Sequence, residues 1–156
     1  MKISFLTILI ATILVTGCKS TQKSTATLKQ PEATIQNIEI EETYWKLTEL
    51  QGKPIVKSED MTKDIHIILK KDGNRVQGFS GCNTIMGQYE LKEGNRIVFS
   101  GMASTMMACP DMSTEANFNK MLGAIDNYSI NGKTMSLSKA KMAPMARFEA
   151  VDGKGL

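Results

Sequence analysis

An apolar residue at every second position, over short stretches, is the feature that most limits what this chain can fold into. Ile65–Lys70 carries Ile65, Ile67 and Leu69 on one side of an extended backbone, and Tyr44–Leu50 sets Trp45 and Leu47 against Lys46 and Thr48. A two-residue period sends alternate side chains to opposite faces of a strand, so each stretch reads as a strand with one face in a core. Turn residues punctuate the pattern. Gln51-Gly52-Lys53-Pro54, Asp72-Gly73, Glu93-Gly94-Asn95 and Asn131-Gly132 separate these strands from Arg75–Phe79, Gly87–Lys92, Arg96–Phe99, Tyr128–Ile130, Thr134–Leu137 and Ala146–Val151.

One segment breaks the two-residue period. Between Pro110 and Asn127, Phe118, Met121, Leu122 and Ile125 recur at helical spacing. Asp111 or Ser113 can cap the start, and Glu115 suits the positive end of the helix dipole. One helix among seven or eight antiparallel strands predicts an α+β, mainly β fold: a curved antiparallel sheet or partial barrel packed on one α-helix. The folded unit is expected over residues 43–151, a length that suits one domain.

The N-terminus reads differently. Lys2 precedes an apolar run, Ile3 to Val15, interrupted only by Ser4, Thr7 and Thr12. Thirteen helical residues reach about 20 Å, short of a hydrocarbon core of about 30 Å, so the run predicts a secretory signal and not a membrane span. Val15-Thr16-Gly17-Cys18 follows, and an aliphatic residue, two small residues and Cys resemble the bacterial lipoprotein signal. Residues 1–17 are therefore expected to be removed and Cys18 to be acylated. Several buried lipid chains, at roughly 0.8 kcal/mol per methylene, would hold it to a membrane. Lys19 in place of Asp leans towards the outer membrane. Residues 18–42 are rich in Lys, Ser, Thr, Gln and Glu and read as a flexible tether with a reach of roughly 25–30 Å; an early start of the first strand at Ile38 and Ile40 is the alternative.

Charge narrows the partners. The whole chain carries +3, and the chain from Cys18 onward 18 bases to 16 acids. That is too weak a cationic face for a nucleic-acid protein. The expected partners are a membrane, through Cys18, and an envelope protein.

Gly78-Phe79-Ser80-Gly81-Cys82-Asn83, Gly87-Gln88-Tyr89 and Ser104-Thr105-Met106-Met107-Ala108-Cys109 resemble the META domain family, which includes the heat-shock protein HslJ. Trp45-Lys46-Leu47, Phe118 to Leu122 and Phe148 fit the same pattern, so the resemblance spans residues 44–150. Gly81, Asn83, Thr105, Met106 and Met107 carry its motifs. It implies a mainly β domain of lipocalin-like topology with an inserted helix, on secreted or envelope proteins. The family is linked to heat shock, novobiocin resistance and parasite infective stages. It implies no established reaction and no agreed ligand.

With Cys18 committed to lipid, Cys82 and Cys109 remain as an even pair in a compartment where disulfides persist. A bridge would tie the sheet to the start of the helix and, by closing a loop of about 28 residues, stabilise the fold by roughly 3–4 kcal/mol. Two reduced thiols packed as small hydrophobes are the alternative. A rival chemistry comes from Met102, Met106, Met107 and Met112, which with Cys109 lie within eleven residues. Soft sulfur ligands suit Cu(I), although packing is the plainer use for Met106 and Met107. His66, the single histidine, is expected to be partly exposed on its strand.

Enzyme readings rest on less. A Cys82–His66–Asn83 arrangement needs a free thiolate and an oriented base. Gly132-Lys133-Thr134 lacks the earlier glycine of a phosphate loop, with Asn127 in its place. Glu41-Glu42 and Glu59-Asp60 read as solvated charge. The sequence thus predicts a lipid-anchored envelope protein with a non-catalytic domain in a binding or stress role and no cofactor, with Cu(I) binding as the alternative.

Overall fold

A computed structural model describes residues 38–57 and 63–151. The expected signal sequence, Cys18, the tether up to residue 37 and Glu59-Asp60 lie outside the described residues. Nine strands form one antiparallel sheet: β1 (Tyr44–Leu50), β2 (Lys53–Pro54), β3 (His66–Lys70), β4 (Arg75–Phe79), β5 (Thr84–Lys92), β6 (Arg96–Ser104), β7 (Asn127–Asn131), β8 (Thr134–Ser138) and β9 (Ala146–Val151). They neighbour one another in the order β2-β1-β3-β4-β5-β6-β7-β8-β9, and β9 also pairs with β1. The sheet thereby nearly closes a ring, thinnest where β7 meets β6 at the single pair Arg96–Asn127. The one α-helix among the described residues, α1 (Ser113–Leu122), lies between β6 and β7 in the chain. The mainly β architecture with one helix is the one expected.

The period-two residues fill the interior. Trp45, Leu47, Ile65, Ile67, Leu69, Val76, Ile85, Ile97, Met135, Leu137 and Phe148 are buried together with Phe118, Met121 and Leu122 of the helix. Phe118 and Phe148 meet with ring centroids 6.3 Å apart. Leu50 falls out of phase with Trp45 and Leu47, yet it is buried. A register shift between Leu47 and Glu49, opposite β9, turns it inward.

Three local expectations need correction. Residues 38–42, assigned to the tether, pack on the sheet: Ile40 is buried, its carbonyl accepts the Trp45 indole N–H at 2.8 Å, and Glu41 bridges to Leu69. Two isoleucines suffice to draw this polar stretch onto the core. The β5–β6 hairpin is longer than Gly87–Lys92 and Arg96–Phe99, because a register shift between Met86 and Gln88 lets pairing continue to Ser104. Gly87 permits this, since a Cβ there would lie 2.5 Å from Met102 Sδ and 3.0 Å from the Ser100 carbonyl. The Asp72-Gly73 turn is found as expected, closing the β3–β4 hairpin at the Lys70–Arg75 pair through a 3-10 turn over Asp72–Asn74. The helix stops at Leu122, so Ile125 is buried from the segment beyond it.

Candidate functional site

The family-motif residues converge where the β4–β5 turn meets the segment leading into the helix. Gly81 begins the turn at φ +118°, a conformation that L side chains rarely adopt. The turn closes when the Asn83 carbonyl accepts the Ser80 N–H at 2.9 Å and its hydroxyl at 3.0 Å. Cys82 and Cys109 form a disulfide with Cα atoms 6.1 Å apart. Of the two cysteine states left open by the sequence, the bridge is the one found.

Asn83 is the hub. Its Oδ1 accepts from the Thr105 hydroxyl and the Met107 N–H, both at 2.7 Å. Its Nδ2 donates to Glu115 Oε1 at 2.9 Å and to the Met107 carbonyl at 3.2 Å. A side-chain amide has two donors and two acceptor lone pairs, and here all four are used. Thr105 Oγ1 also accepts the Thr84 N–H at 3.2 Å, joining the segment to β5.

In the sequence Glu115 suits the positive end of the helix dipole, a role that needs no burial. Yet it is buried, and Oε2 accepts the Asn83 N–H at 2.9 Å and the Cys82 N–H at 3.3 Å. Two backbone N–H groups and one amide replace the water a buried carboxylate would lose. The signal was present in the sequence: Glu115, Phe118 and Leu122 share one helix face at i, i+3 and i+7. Neither expected cap holds the N-cap position, which Met112 occupies without a side-chain bond; Asp111, one residue earlier, accepts the Ser113 N–H with Oδ1 at 2.8 Å. That bond holds its carboxyl below the usual range.

The methionines do not share one environment. Met106 and Met107 are exposed, contrary to the expectation that they pack in the core, because the bonds that seat this segment are made by its backbone. Met102 packs against the core, and Met112 Sδ accepts the Cys109 N–H at 3.5 Å. The disulfide removes the Cys109 thiolate from any soft-metal set and leaves Cys82 without a thiol to attack. Among the described residues no three His, Cys, Asp or Glu groups gather as a metal site.

His66 is half-buried, as its strand position implied. Its ring stacks on Tyr44 at 4.3 Å, and Nδ1 lies 2.8 Å from the Asp64 carbonyl. Burial holds its pKa below the ordinary value. Glu41 and Glu42, expected in solvent, engage Tyr89 and Lys70. Gly132-Lys133 forms the β7–β8 turn, with Gly132 at φ +57°.

The META domain model matches residues 36–152, three quarters of the chain. The chain belongs to the META domain family. An NMR structure of a protein from Burkholderia xenovorans is similar, with a TM-score of 0.58 and 24% identity, over 79% of this chain and 97% of that one. A second NMR structure matches at a TM-score of 0.55 and 18% identity, over 72% and 94%. At these identities the likeness concerns the fold. No curated protein matches the chain. The META domain begins before Thr43, consistent with the packing of Ile38 and Ile40. No helix among the described residues is long and apolar enough to cross a membrane.

Proposed function

We propose that this protein is a lipid-anchored component of the cell envelope, at the outer membrane, whose META domain binds an extended segment of another envelope protein and catalyses no reaction. The observation that carries the binding role is the outer edge of β6. β5 pairs along one side of β6, whereas β7 meets its other side only at Arg96. From Val98 to Ser104 that edge has no strand partner among the described residues, and its sequence, V-F-S-G-M-A-S, contains no charge and no proline. Those are the devices that ordinarily discourage pairing.

Beside this edge lies a cavity of about 130 Å³ lined by Ile85, Met102, Ala103, Ser104, Asn119 and Leu122. An added strand would pair with the free backbone groups and seat one aliphatic side chain there, the usual division between affinity and specificity in strand addition. The anchor reading rests on Lys2, the apolar run and Val15-Thr16-Gly17-Cys18, and the disulfide suits the same compartment. A Cu(I) site on Met102, Met106, Met107 and Met112 has less support, since Cys109 is bonded and Met102 faces the core.

Two measurements test this. Mass spectrometry of the purified protein should find acylated Cys18 at the N-terminus, and Cys18→Ser should release the protein from membranes; an intact Met1 without acyl mass removes the anchor. A photo-crosslinker at Ser104 in intact cells should mark an extended segment of one partner, and Ala103→Trp, which fills the cavity, should abolish the product. A crosslink indifferent to Ala103→Trp overturns strand addition. Recovery of the protein alone, with a turnover activity lost in Cys82→Ser, overturns the non-catalytic role.

A further inference from the structure

The fold treats its methionines in two opposite ways. Met121 and Met135 are fully buried, whereas Met106 is 98% exposed, Met142 67%, Met107 62% and Met86 53%. An apolar side chain in water forgoes the free energy of burial, and Met106 and Met107 do so side by side. A loose backbone does not account for this. The Thr105 hydroxyl and the Met107 backbone are bonded to the Asn83 amide, and Cys109 is joined covalently to Cys82. Met106 projects from a segment fastened on both sides of it.

The sulfurs of this segment differ in what they can still do. Those of Cys82 and Cys109 are spent in the disulfide, and Met112 Sδ is occupied by the Cys109 N–H. Met106 and Met107 keep exposed thioethers, and the segment is held by the Met107 backbone, the Thr105 hydroxyl and the disulfide, with neither methionine side chain in a bond that seats it.

We propose that Met106 and Met107 are a modification site: paired thioethers that accept oxygen from two-electron oxidants of the hypohalous acid class and leave the fold intact. With hypochlorous acid, a sulfur lone pair attacks the oxygen. The S–O bond forms as the O–Cl bond breaks, chloride departs, and the proton on oxygen passes to water. Sulfur is oxidised by two electrons, and chlorine is reduced to chloride. The sulfoxide is polar and requires hydration, which the exposed positions supply at once. The same oxygen on Met121 or Met135 would enter the core without a partner.

The test uses the folded full-length protein, graded hypochlorous acid and mass spectrometry of its peptides. At one oxidant per protein, Met106 should lead, and Met106 and Met107 should each carry about tenfold more sulfoxide than Met121 or Met135. Protein bearing both sulfoxides should keep its unfolding midpoint. Met106→Leu/Met107→Leu, which touches no clamp bond, should consume the oxidant at least about twofold more slowly. Oxidation of Met121 and Met135 at the same pace, precedence of Met142 over Met106, early melting of the doubly oxidised protein, or an unchanged rate in the double variant would each overturn the site.

Discussion

Two polar clusters fasten peripheral segments to the sheet, one from inside and one from outside. In the first, Asn83 and Glu115 are buried, and the disulfide closes beside them. In the second, residues 39–42 lie on the β3 end, where Glu39 pairs with Lys71 at 2.8 Å and Glu42 with Lys70 at 2.8 Å. Lys71 N–H also donates to Glu42, and Tyr89 donates to Glu41 at 2.5 Å. The buried cluster has no water to fall back on, so losing one partner strands the others. Water competes at the ion pairs of the exposed one and screens their charges, although its Tyr89–Glu41 bond is partly buried. Similar distances therefore conceal very different consequences.

The largest difference should come from Glu115→Ala. It strands three N–H donors, at about 1–3 kcal/mol for each one buried, so a loss of about 4 kcal/mol in denaturant unfolding is expected. Glu115→Gln keeps one acceptor and should lose roughly half of that. A loss below about 1 kcal/mol for the alanine variant would erase the contrast between the clusters. Next comes the disulfide. Cys82→Ala/Cys109→Ala opens a loop with a sequence separation of 27 and should cost about 3–4 kcal/mol by the same measurement. The double variant should also lose the fixed conformation of Thr105–Cys109, seen as faster amide exchange at Met107.

The outer cluster should reveal itself through pH. Burial, followed by the bond to Glu41, pushes the Tyr89 phenol well above its ordinary value. Below pH 10 the phenol is protonated in both folded and unfolded chains. Above it the unfolded chain ionises first, so stability should fall as pH rises past about 10, and Tyr89→Phe should flatten that decline. Glu39 and Glu42 are shifted the other way, below 4.5, by their lysine partners. Their contribution is present above that value and fades as pH falls through the lowered folded values. The smallest effect belongs to these exposed pairs. Glu42→Gln should change the unfolding midpoint slightly, and about 0.5 M salt should remove the difference. A Glu42→Gln loss as large as that of Glu115→Ala would show that the outer cluster is a clamp in its own right.

The two clusters also differ in how far they could be read in advance. Cys82 and Cys109 stood out as an even pair, and Gly81, Asn83 and Thr105 as motif residues. Glu115 did not, because a carboxylate in a first helical turn is ordinarily a surface residue serving the dipole. For Met106 and Met107 residue type likewise favours packing, and only the bonds of the Met107 backbone to Asn83 go with the outward turn of those side chains. Residues 39–42 read as solvated tether because their local composition is polar. The ties that hold them, Glu42 N–H to the Leu69 carbonyl and the Tyr89 hydroxyl to Glu41, are made across the fold.

Sequence alone determined the strand faces, the helix and most of the turns. These depend on side-chain period and on the backbone freedom of Gly, Asn and Asp, which are properties of near neighbours. It also marked the cysteines that join. The tertiary structure alone decided that β6 and β7 meet at one pair, leaving an edge without a strand partner among the described residues beside a cavity, and that a glutamate goes in while two methionines go out. Those outcomes turn on how residues far apart in the chain share donors, acceptors and space, and no local pattern encodes that balance.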